Sequence, residues 1–369
     1  MKIKCDSKDL AIAIGTAMRA VPAKTTIPAQ ECVLIEADGG SIFVTGNDME
    51  LGIRTVLEGE VIELGRVAVD AKLMNDIAKK LPVGDAVISS NEIFTLNIKC
   101  GRSKFNISGR DPVDFSVLPE TEKGTVVEIS QAAFKDAVLN SIFCISPNDT
   151  NPIMTGEHID TDGDVMRFTA LDGHRIAITE IKLDRPFGKA DAIIPGKTLS
   201  EVSKLLKDGY MQIEFTQNHV VFDIDGTRIV SRTIYGQYFK IDRFMSNDYT
   251  TKVTADAGEL LSCIARASVV IDSAEKKPPV IISVTDGIIS IDAKTAKGTT
   301  NEELEAEKIG EDIRLGMNNR FLIDALDRAT SYDDEIEIRF TGPKTPVTIT
   351  RDGASYRYIV LPVMYKQEA

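Results

Sequence analysis

The segment MKIKCDSKDLAIAIGTAM (residues 1–18) decides the fold, because its pattern occurs three times along the chain. Alternating polar and apolar residues in MKIKCD predict a β-strand, and the apolar spacing of SKDLAIAIGTAM predicts an amphipathic helix. The same joint recurs in TVVEISQAAFKDAVLNSI (125–142) and in TKVTADAGELLSCIARAS (251–268). The helix starts lie 124 and 126 residues apart, which predicts three internal repeats.

A second strand-to-helix joint repeats with the same period. It is found in VAVDAKLMNDIAKKL (67–81), AIIPGKTLSEVSKLL (192–206) and IRLGMNNRFLIDAL (313–326). Hairpin patterns with a glycine turn lie between the helices, in ECVLIEADGGSIFVTG (31–46), MTGEHIDTDGDVMRFTALDG (154–173) and PVIISVTDGIISIDAKT (279–295). Each repeat therefore reads as β-α-β-β-β twice over. The pattern predicts an α+β fold with antiparallel sheets and three domains, at 1–123, 124–249 and 250–369.

Composition narrows the class of protein. The chain has 369 residues, 43% of them hydrophobic, and no apolar run approaches the roughly 20 residues of a membrane-spanning helix. The opening MKIKCDSKDL lacks the apolar centre of a signal peptide. The five cysteines form no CxxC or Cys/His cluster, which is typical of reduced cytosolic thiols. We therefore expect a cytoplasmic protein without a membrane partner.

Positive charge is concentrated in the predicted helices of an acidic chain. The net charge of −13 by itself argues against a nucleic-acid partner. The predicted helices are 8–19, 71–80, 131–142, 197–207, 259–270 and 319–328. They hold 12 basic and 7 acidic residues, so the rest of the chain carries a net charge of −18. If the helices share one face, that face contacts phosphates without reading bases. Solvated helix surfaces are the alternative interpretation.

The stretch LDGHRIAI (171–178) is the strongest candidate for chemistry. It brings together Asp172, His174 and Arg175, but a catalytic triad also needs a nucleophile in register. No GxSxG motif and no metal-ligand spacing accompany it. PGKT (195–198) lacks the first glycine of a phosphate loop, so we interpret it as the start of the fourth helix with Lys197 exposed. Catalysis, a structural histidine and a binding-site rim stay open, and we expect no cofactor or metal.

The C-terminal segment YRYIVLPVMYKQEA (356–369) stays apolar almost to its end. Tyr356–Val360 is predicted to be the last strand of a sheet. Leu361, Val363, Met364 and Tyr365 are expected to be exposed beyond it. Chain ends are usually polar, and exposed apolar side chains of this kind commonly mark a partner-binding surface.

Together these features resemble the bacterial DNA polymerase III beta subunit family, the DNA sliding clamps. The resemblance covers the whole chain and rests on the threefold repeat, LDGHRIAI, TGNDMEL (45–51), GRSKFNIS (101–108) and the terminal VLPVM (360–364). It implies a head-to-tail homodimeric ring with helices lining the hole and sheets outside. Such a ring encircles double-stranded DNA, slides on it without sequence preference and tethers the replicative polymerase. The resemblance implies a processivity factor of DNA replication, not an enzyme.

The resemblance also implies a pocket for a short linear peptide carried by the DNA polymerase III alpha subunit, the clamp loader and repair proteins. Apolar anchoring in a groove with a polar rim is the expected mechanism. Carried over position by position, the pocket consists of Met154, Leu171, Gly173, His174, Arg175, Ile176, Phe239, Arg243, Phe244, Asn318, Phe321, Pro346, Ile359, Val360, Leu361, Pro362, Val363 and Met364. The chain departs from the family where Leu171, Phe239 and Phe321 replace a frequent Thr, Pro and Tyr.

Two further surfaces follow from the same resemblance. The residues expected to contact DNA are Lys24, Lys72, Lys79, Lys80, Asn148, Lys197 and Lys204. The residues expected at the dimer interface are Arg102, Phe105, Ile107, Val269, Val270, Glu302, Glu303 and Glu305. The edge strand with Phe105 and Ile107 would meet the partner's fifth helix, and Arg102 would face the acidic run.

Two other functions stay open at the level of sequence. One is a repeat scaffold that binds proteins without encircling DNA. The other is a hydrolase that uses Asp172 and His174.

Overall fold

The computed structural model describes residues 1–148, 150–272, 278–330, 335–351 and 355–365, apart from the side chains of Arg243 and Asp272. The helices in these ranges are α1 (Ser7–Ala17), α2 (Ala71–Ala78), α3 (Gln131–Leu139), α4 (Gly196–Leu205), α5 (Ala257–Asp272) and α6 (Asn319–Ala329). Each helix begins within two residues of its predicted start, so the six predicted strand-to-helix joints are confirmed.

Twenty-four strands accompany these helices in the described ranges. The first ten are β1 (Lys2–Asp6), β2 (Cys32–Asp38), β3 (Ser41–Asn47), β4 (Leu51–Leu57), β5 (Gly59–Glu63), β6 (Gly65–Asp70), β7 (Asp85–Ser90), β8 (Thr95–Cys100), β9 (Ser103–Arg110) and β10 (Thr125–Ser130). The next six are β11 (Gly156–Leu171), β12 (Arg175–Pro195), β13 (Tyr210–Phe215), β14 (His219–Ile224), β15 (Thr227–Arg232) and β16 (Thr251–Asp256). The last eight are β17 (Val280–Thr285), β18 (Ile288–Thr295), β19 (Gly298–Glu305), β20 (Glu307–Gly310), β21 (Ile313–Met317), β22 (Glu335–Phe340), β23 (Val347–Thr350) and β24 (Tyr356–Val360).

An aspartate at the end of a strand often caps the helix that follows. Backbone N–H groups donate from Lys8 to Asp6 (2.7 Å), from Leu73 to Asp70 (2.7 Å) and from Glu259 to Asp256 (2.7 Å). Such a cap satisfies one of the unpaired N–H groups of the first turn and contributes about 1 kcal/mol. A single side chain therefore fixes both the end of the strand and the start of the helix.

The chain forms two compact units, of which the first contains Met1–Phe134 and Phe187–Thr233. Its strands form one thirteen-stranded sheet in the order β10-β13-β14-β15-β4-β3-β2-β6-β9-β8-β7-β1-β5. β4 and β15 come from different sequence repeats but are antiparallel neighbours, with Gly52 opposite Val230 and Ile53 opposite Ile229. The backbone ladder therefore continues from the first repeat into the second.

The second unit contains Lys135–Pro186 and Ile234–Ala369. It holds a seven-stranded sheet in the order β11-β12-β24-β23-β22-β16-β20 and a four-stranded sheet in the order β19-β18-β17-β21. Here β12 and β24 join the second and third repeats, with Arg175 opposite Val360. The two compact units do not coincide with the three repeats, because the second repeat contributes strands to both. The domain limits at residues 123 and 249 therefore stay predictions from the repeat pattern.

Helices pack on these sheets through apolar side chains that recur on one helix face. In the first unit, Leu10, Ile14 and Met74 of α1 and α2 are fully buried in one apolar cluster with strand residues. In the second unit, Ile264 of α5 and Leu326 of α6 are fully buried in the corresponding cluster. Burying a side chain of this kind contributes roughly 1.5–3 kcal/mol relative to leaving it exposed.

One carboxyl group lies inside the second unit without a cationic partner in the described contacts. Glu157 is fully buried, and one of its oxygens contacts the hydroxyl of Ser141 while the other has no hydrogen-bond partner. The single hydrogen of Ser141 is well placed for the backbone oxygen of Ala137, at 2.8 Å. The same hydroxyl is also directed as a donor toward one oxygen of Glu157, and a donor stabilises the ionised carboxylate. Burial raises the pKa of Glu157 to about 8, although the Ser141 hydrogen bond acts to lower it.

Replacing Glu157 by glutamine is expected to stabilise the protein increasingly as the pH rises. The pKa is raised from 4.5 to about 8 on folding, so the native state binds the proton more tightly and loses stability as pH increases between those values. The stability gain of Glu157→Gln should grow by roughly 2–3 kcal/mol from pH 6 to pH 9. Urea unfolding at both pH values measures it.

Glu180→Gln is the matched control, because it removes a partly exposed carboxylate that is paired with Arg167 in the same unit. The effect of Glu180→Gln on the free energy of unfolding should not grow comparably between pH 6 and pH 9. Parallel pH profiles for Glu157→Gln and the native protein would rule out a neutral Glu157.

Candidate functional site

The second unit contains an apolar cavity of about 610 Å³. Its wall consists of Met154, Leu171, Gly173, His174, Arg175, Ile176, Phe239, Lys240, Ile241, Asp242, Phe244, Pro346, Ile359 and Leu361. Eleven of these fourteen residues belong to the eighteen that the sequence analysis assigned to a peptide pocket. A cavity of this size with a few convergent polar groups fits a small molecule or the anchoring side chains of a peptide.

The pairing of β12 with β24 builds one side of this cavity. Arg175 lies opposite Val360 and Ile176 lies opposite Ile359. Side chains alternate between the two faces of a strand. Ile359 and Leu361 therefore line the cavity, whereas Val360 points into the core of the unit and is fully buried. The prediction that Val360 lines the pocket is wrong for this reason.

The floor of the cavity is a small apolar cluster that sequence analysis found only in part. Ile178, Ile241 and Ile359 are buried together, and Ile176 and Phe244 pack against them. Sequence analysis included Phe239 and Phe244 but missed the three residues Lys240, Ile241 and Asp242 between them. The apolar positions of FKIDRF (239–244) are the signal that would have pointed to Ile241.

The turn at residues 171–175 is fixed by the Asp172 carboxylate. One carboxylate oxygen accepts hydrogen bonds from the backbone N–H of His174 (2.9 Å) and of Arg175 (3.1 Å). Gly173 between them has a φ of 91°, a backbone conformation that other residues rarely adopt. Asp172 therefore shapes the turn through the backbone of His174 and does not orient the imidazole as a catalytic aspartate does.

Arg175 is held rigidly where the cavity wall meets the core. Its Nε donates to Asp172 at 2.9 Å, and its other nitrogens donate to Asp324 and to the backbone oxygen of Phe143. The guanidinium carbon lies 4.3 Å from the centre of the Phe321 ring. Burial is the largest single influence and acts to lower the pKa of Arg175, but the hydrogen bond with Asp324 and several weaker interactions together outweigh it, and the pKa is raised. The Arg175 guanidinium therefore stays charged, and its position is fixed by these contacts.

His174 lies on the rim beside the same aromatic ring. Its imidazole is exposed, and its ring centre is 6.4 Å from that of Phe321. Phe321 itself supports Arg175 and packs on the core, and Asn318 caps α6 by accepting from the N–H of Arg320 at 3.0 Å. Asn318 and Phe321 therefore act beneath or beside the cavity and are not part of its wall. The predicted side chain of Arg243 lies outside the described residues.

The segment after β24 does not extend freely. The Val363 N–H donates to the backbone oxygen of Gly316 in β21 at 2.8 Å, which forms an isolated bridge. A Cβ at Gly316 would lie 2.6 Å from the Val363 oxygen and 2.9 Å from the Tyr365 ring. The expectation that Tyr365 is exposed is wrong, because its ring packs on Gly316 and its hydroxyl is buried. Met364 is 70% exposed, and Pro362, Val363 and Met364 lie outside the cavity wall.

The lysines assigned to DNA are all exposed, but they differ in their partners. Lys24 lies in the loop after α1, and Lys72, Lys79 and Lys80 lie on or just after α2. On α4, Lys197 contacts Asp48, and Lys204 donates to Glu201 at 2.7 Å. Asn148 is exposed, and its side-chain oxygen accepts from the backbone N–H of Thr150 at 3.0 Å.

The residues assigned to the dimer interface lie on β9, α5 and β19. Phe105 and Ile107 of β9 pack on the core of the first unit. Arg102 lies in the turn that leads into β9, and Val270 lies beside Val269 in α5.

On the second unit, Val269 is 70% exposed on α5. Glu302 of β19 is already bonded to Arg266 of α5, at 2.6 Å, while Glu303 and Glu305 follow on the same strand.

Three repeats of strand-to-helix joints, with strand ladders that connect one repeat to the next, define the class of DNA clamps. Sequence profiles of the DNA polymerase III beta subunit match residues 1–119 as the N-terminal domain, 128–240 as the central domain and 242–364 as the C-terminal domain. The chain belongs to this family. It is a sliding clamp, a processivity factor rather than a catalytic subunit, and the fold and function predicted from the sequence are confirmed.

Individual relatives agree over the full length. A beta sliding clamp of Staphylococcus aureus is 29% identical over 364 residues, covering 95% of this chain and 96% of the relative. The crystal structure of a DNA polymerase III beta subunit from Eubacterium rectale is 38% identical, with a TM-score of 0.95 over 99% of this chain and 100% of that one. The DNA polymerase sliding clamp of Bacillus subtilis is 27% identical, with a TM-score of 0.94 and the same coverage. Within the described residues, no helix combines the length and apolar character needed to cross a bilayer.

Replacing Gly316 by alanine is expected to detach the segment after β24. The added methyl group cannot be accommodated beside the Val363 oxygen, so the bridge between Val363 and Gly316 should break. Hydrogen exchange of the Val363 amide should accelerate at least tenfold, which NMR or mass spectrometry can follow. Gly298→Ala is the matched control, because a Cβ at Gly298 meets no atom within 4 Å. Unchanged protection in Gly316→Ala would show that the bridge does not hold the segment.

Proposed function

We propose that two copies of the chain close head to tail into a ring that encircles duplex DNA and holds a DNA polymerase on it. The observation that carries the proposal is the full-length match of all three domains to beta sliding clamps. Head-to-tail contacts form a closed ring when the rotation between subunits permits it. Six clamp domains, at 1–123, 124–249 and 250–369 of each subunit, would then surround the DNA with their helices.

The helices supply the cations for the DNA backbone in this proposal. Lys72, Lys79 and Lys80 are exposed together at α2, and Lys197 and Lys204 are exposed along α4. Lys24 and Asn148 are exposed in loops and complete the proposed set. Lysines contact phosphates as point charges without reading base edges, as movement along DNA of any sequence requires.

The cavity of the second unit is the proposed docking site for partner peptides. Leu171, Ile176, Ile359 and Leu361 offer apolar contacts, and His174 supplies a polar rim. An anchor side chain buried in such a cavity contributes most of the affinity of a short peptide. The proposed ligands are linear segments of the DNA polymerase III alpha subunit, the clamp loader and repair proteins.

The proposed subunit interface uses the outer edge of β9. The pairing of β9 with β6 involves only Gly109 and Arg110, so the earlier part of β9 has β8 as its described neighbour. Phe105 and Ile107 on that part would meet Val269 and Val270 of α5 in the second subunit. Arg102 would face Glu303 and Glu305, and Glu302 would take part together with its intrachain partner Arg266. Pairing the edge in this way also removes an aggregation hazard.

The proposed place of action is the replisome in the cytoplasm, as part of the DNA polymerase III holoenzyme. The ring would act there by topology and tethering, which raise the local concentration of polymerase at the template. No step of this function requires a cofactor.

Light scattering at micromolar concentration should give twice the 40.3 kDa mass of the chain. The clamp loaded onto nicked circular DNA should then stay bound in high salt and be lost once the DNA is made linear. Reversing charge at Lys72 and Lys79 should reduce retention, whereas reversing Lys182, exposed on β12, should not. A stable monomer, or retention that is indifferent to linearisation, would exclude the ring.

Replacing Leu361 by lysine should weaken peptide binding at least tenfold without unfolding the protein. Leu361 is already 41% exposed and lines the cavity, so the lysine charge should disrupt the apolar cavity wall without disrupting the core. Peptides that scan the alpha subunit of the same replisome should bind the native clamp and lose at least tenfold in affinity for Leu361→Lys, measured by fluorescence anisotropy. Ile309→Lys, 58% exposed on β20 and away from the cavity, is the matched control. Equal losses in both variants would place the peptide site elsewhere.

A further inference from the structure

Two carboxylates of the first unit hold the lysines of α4 and also Arg19, which lies just after α1 and is distant in sequence. Asp48 contacts the amino group of Lys197, and Glu201 accepts from Lys204 at 2.7 Å and from Arg19 at 2.8 Å. The acids are the more buried partners. The Asp48 side chain is 7% exposed against 54% for Lys197, and Glu201 is 19% exposed against 50% for Lys204. Each cation therefore reaches solvent with a carboxylate directly behind it.

Asp48 is fixed independently of the lysine that it holds. One of its carboxylate oxygens accepts from the backbone N–H of Glu50 (3.0 Å) and of Leu51 (2.7 Å), and the other faces Lys197. These bonds close the turn of TGNDMEL (45–51), a motif that marks the family resemblance without a role in the ring, the pocket or the interface. Asp48 also lies near the start of α4, where Pro195 provides no side-chain cap and a negative charge is favourable.

The cations and acids alternate along one face of α4. Lys197, Glu201 and Lys204 are spaced by four and three residues, which places them in a row that we call the α4 stripe. The row spans roughly 10 Å of helix. Among the described residues, by contrast, no ion pair involves Lys72 or Lys79 of the α2 region. The lysines of α4 therefore meet the proposed DNA ligand with carboxylates in contact, whereas those of α2 meet it without a described ion pair.

We propose that Asp48 and Glu201 are positioning residues that weaken the attraction of the α4 stripe for DNA phosphates, so that the ring contacts DNA without stalling on it. The inference rests on the proposed function and specifies how one of its helices meets DNA. A carboxylate in contact with a lysine repels the phosphate that the lysine attracts. This repulsion acts well inside the screening length of about 10 Å at 0.1 M salt. The carboxylates also keep the lysine amino groups in fixed places.

The test is the affinity for a fluorescent DNA duplex of about 30 base pairs, measured by anisotropy over a range of salt concentrations. Asp48→Asn keeps the acceptor for the turn and removes the charge behind Lys197. It should tighten binding several-fold and steepen the dependence of log K on log salt by about one. Glu201→Gln releases Lys204 and Arg19 and should steepen it by up to about two. A loss of structure would weaken binding, so damage to the fold cannot imitate this result.

Asp223→Asn is the matched control, because it also removes one negative charge from an ion pair of the first unit. Its partner Arg228, at 2.9 Å, lies on the sheet strand β15 and not on a helix. This variant should show only the small effect of net charge. In a Lys197→Gln background the gain from Asp48→Asn should disappear, since the carboxylate acts through that lysine.

The outcomes separate this inference from the proposed ring. If Asp48→Asn and Glu201→Gln match Asp223→Asn while the native clamp is retained on circular DNA and lost on linearisation, the inference is overturned and the ring stands. If the native clamp shows no topological retention, the ring fails and the inference fails with it. If the gain persists without Lys197, Asp48 does not act through the stripe and the inference is again overturned.

Discussion

Backbone pairing between strands of different sequence repeats is the constraint on which the rest of the structure depends. β4 pairs with β15 in the first unit, and β12 pairs with β24 in the second. In each ladder, the strands at the junction of two repeats pair with each other. Their backbone N–H and C=O groups are therefore hydrogen-bonded, and leaving such groups unpaired in the interior would cost stability. The pairing also fixes which distant residues become neighbours. Arg175 and Ile176 lie beside Ile359 and Val360 for this reason alone, and the apolar cavity follows from that register.

Buried and half-buried carboxyl groups carry much of the specificity of this acidic chain, in three different ways. Asp172 shapes a turn and holds the Arg175 side chain in place, so the LDGHRIAI motif has a structural role. Glu157 is buried without a cationic partner in the described contacts, and burial favours its neutral form and raises its pKa. Asp48 and Glu201 lie behind exposed cations and reduce the charge that α4 offers to a polyanion. Counting charges per helix includes Glu201 but misses Asp48, because Asp48 approaches α4 from the turn at residues 45–51.

Much of the fold could be predicted because its signals are local. The apolar period of SKDLAIAIGTAM and its two counterparts decides helix position, and aspartates such as Asp6 and Asp256 stop the strand and start the helix at one residue. The candidate site was predictable only through family resemblance, since Leu171, Phe239 and Ile359 are far apart in the chain. Ile241 was missed because the apolar positions of FKIDRF (239–244), the signal that marks it, form too short a pattern to show which side chains face a cavity. Val360 was wrongly assigned to the pocket because side chains alternate along a strand, and the Val360 side chain points into the core.

The sequence by itself determined the threefold repeat, the positions of the helices and the segregation of basic residues onto them, because periodicity and composition act within one element. Tertiary structure alone decided which strand of one repeat pairs with which strand of the next. It also decided that Asp48 reaches Lys197 across 149 positions of sequence, and that Val363 docks on Gly316. These contacts depend on register, on the direction of side chains and on the space left by a missing Cβ. Such quantities exist only once distant segments have been brought together.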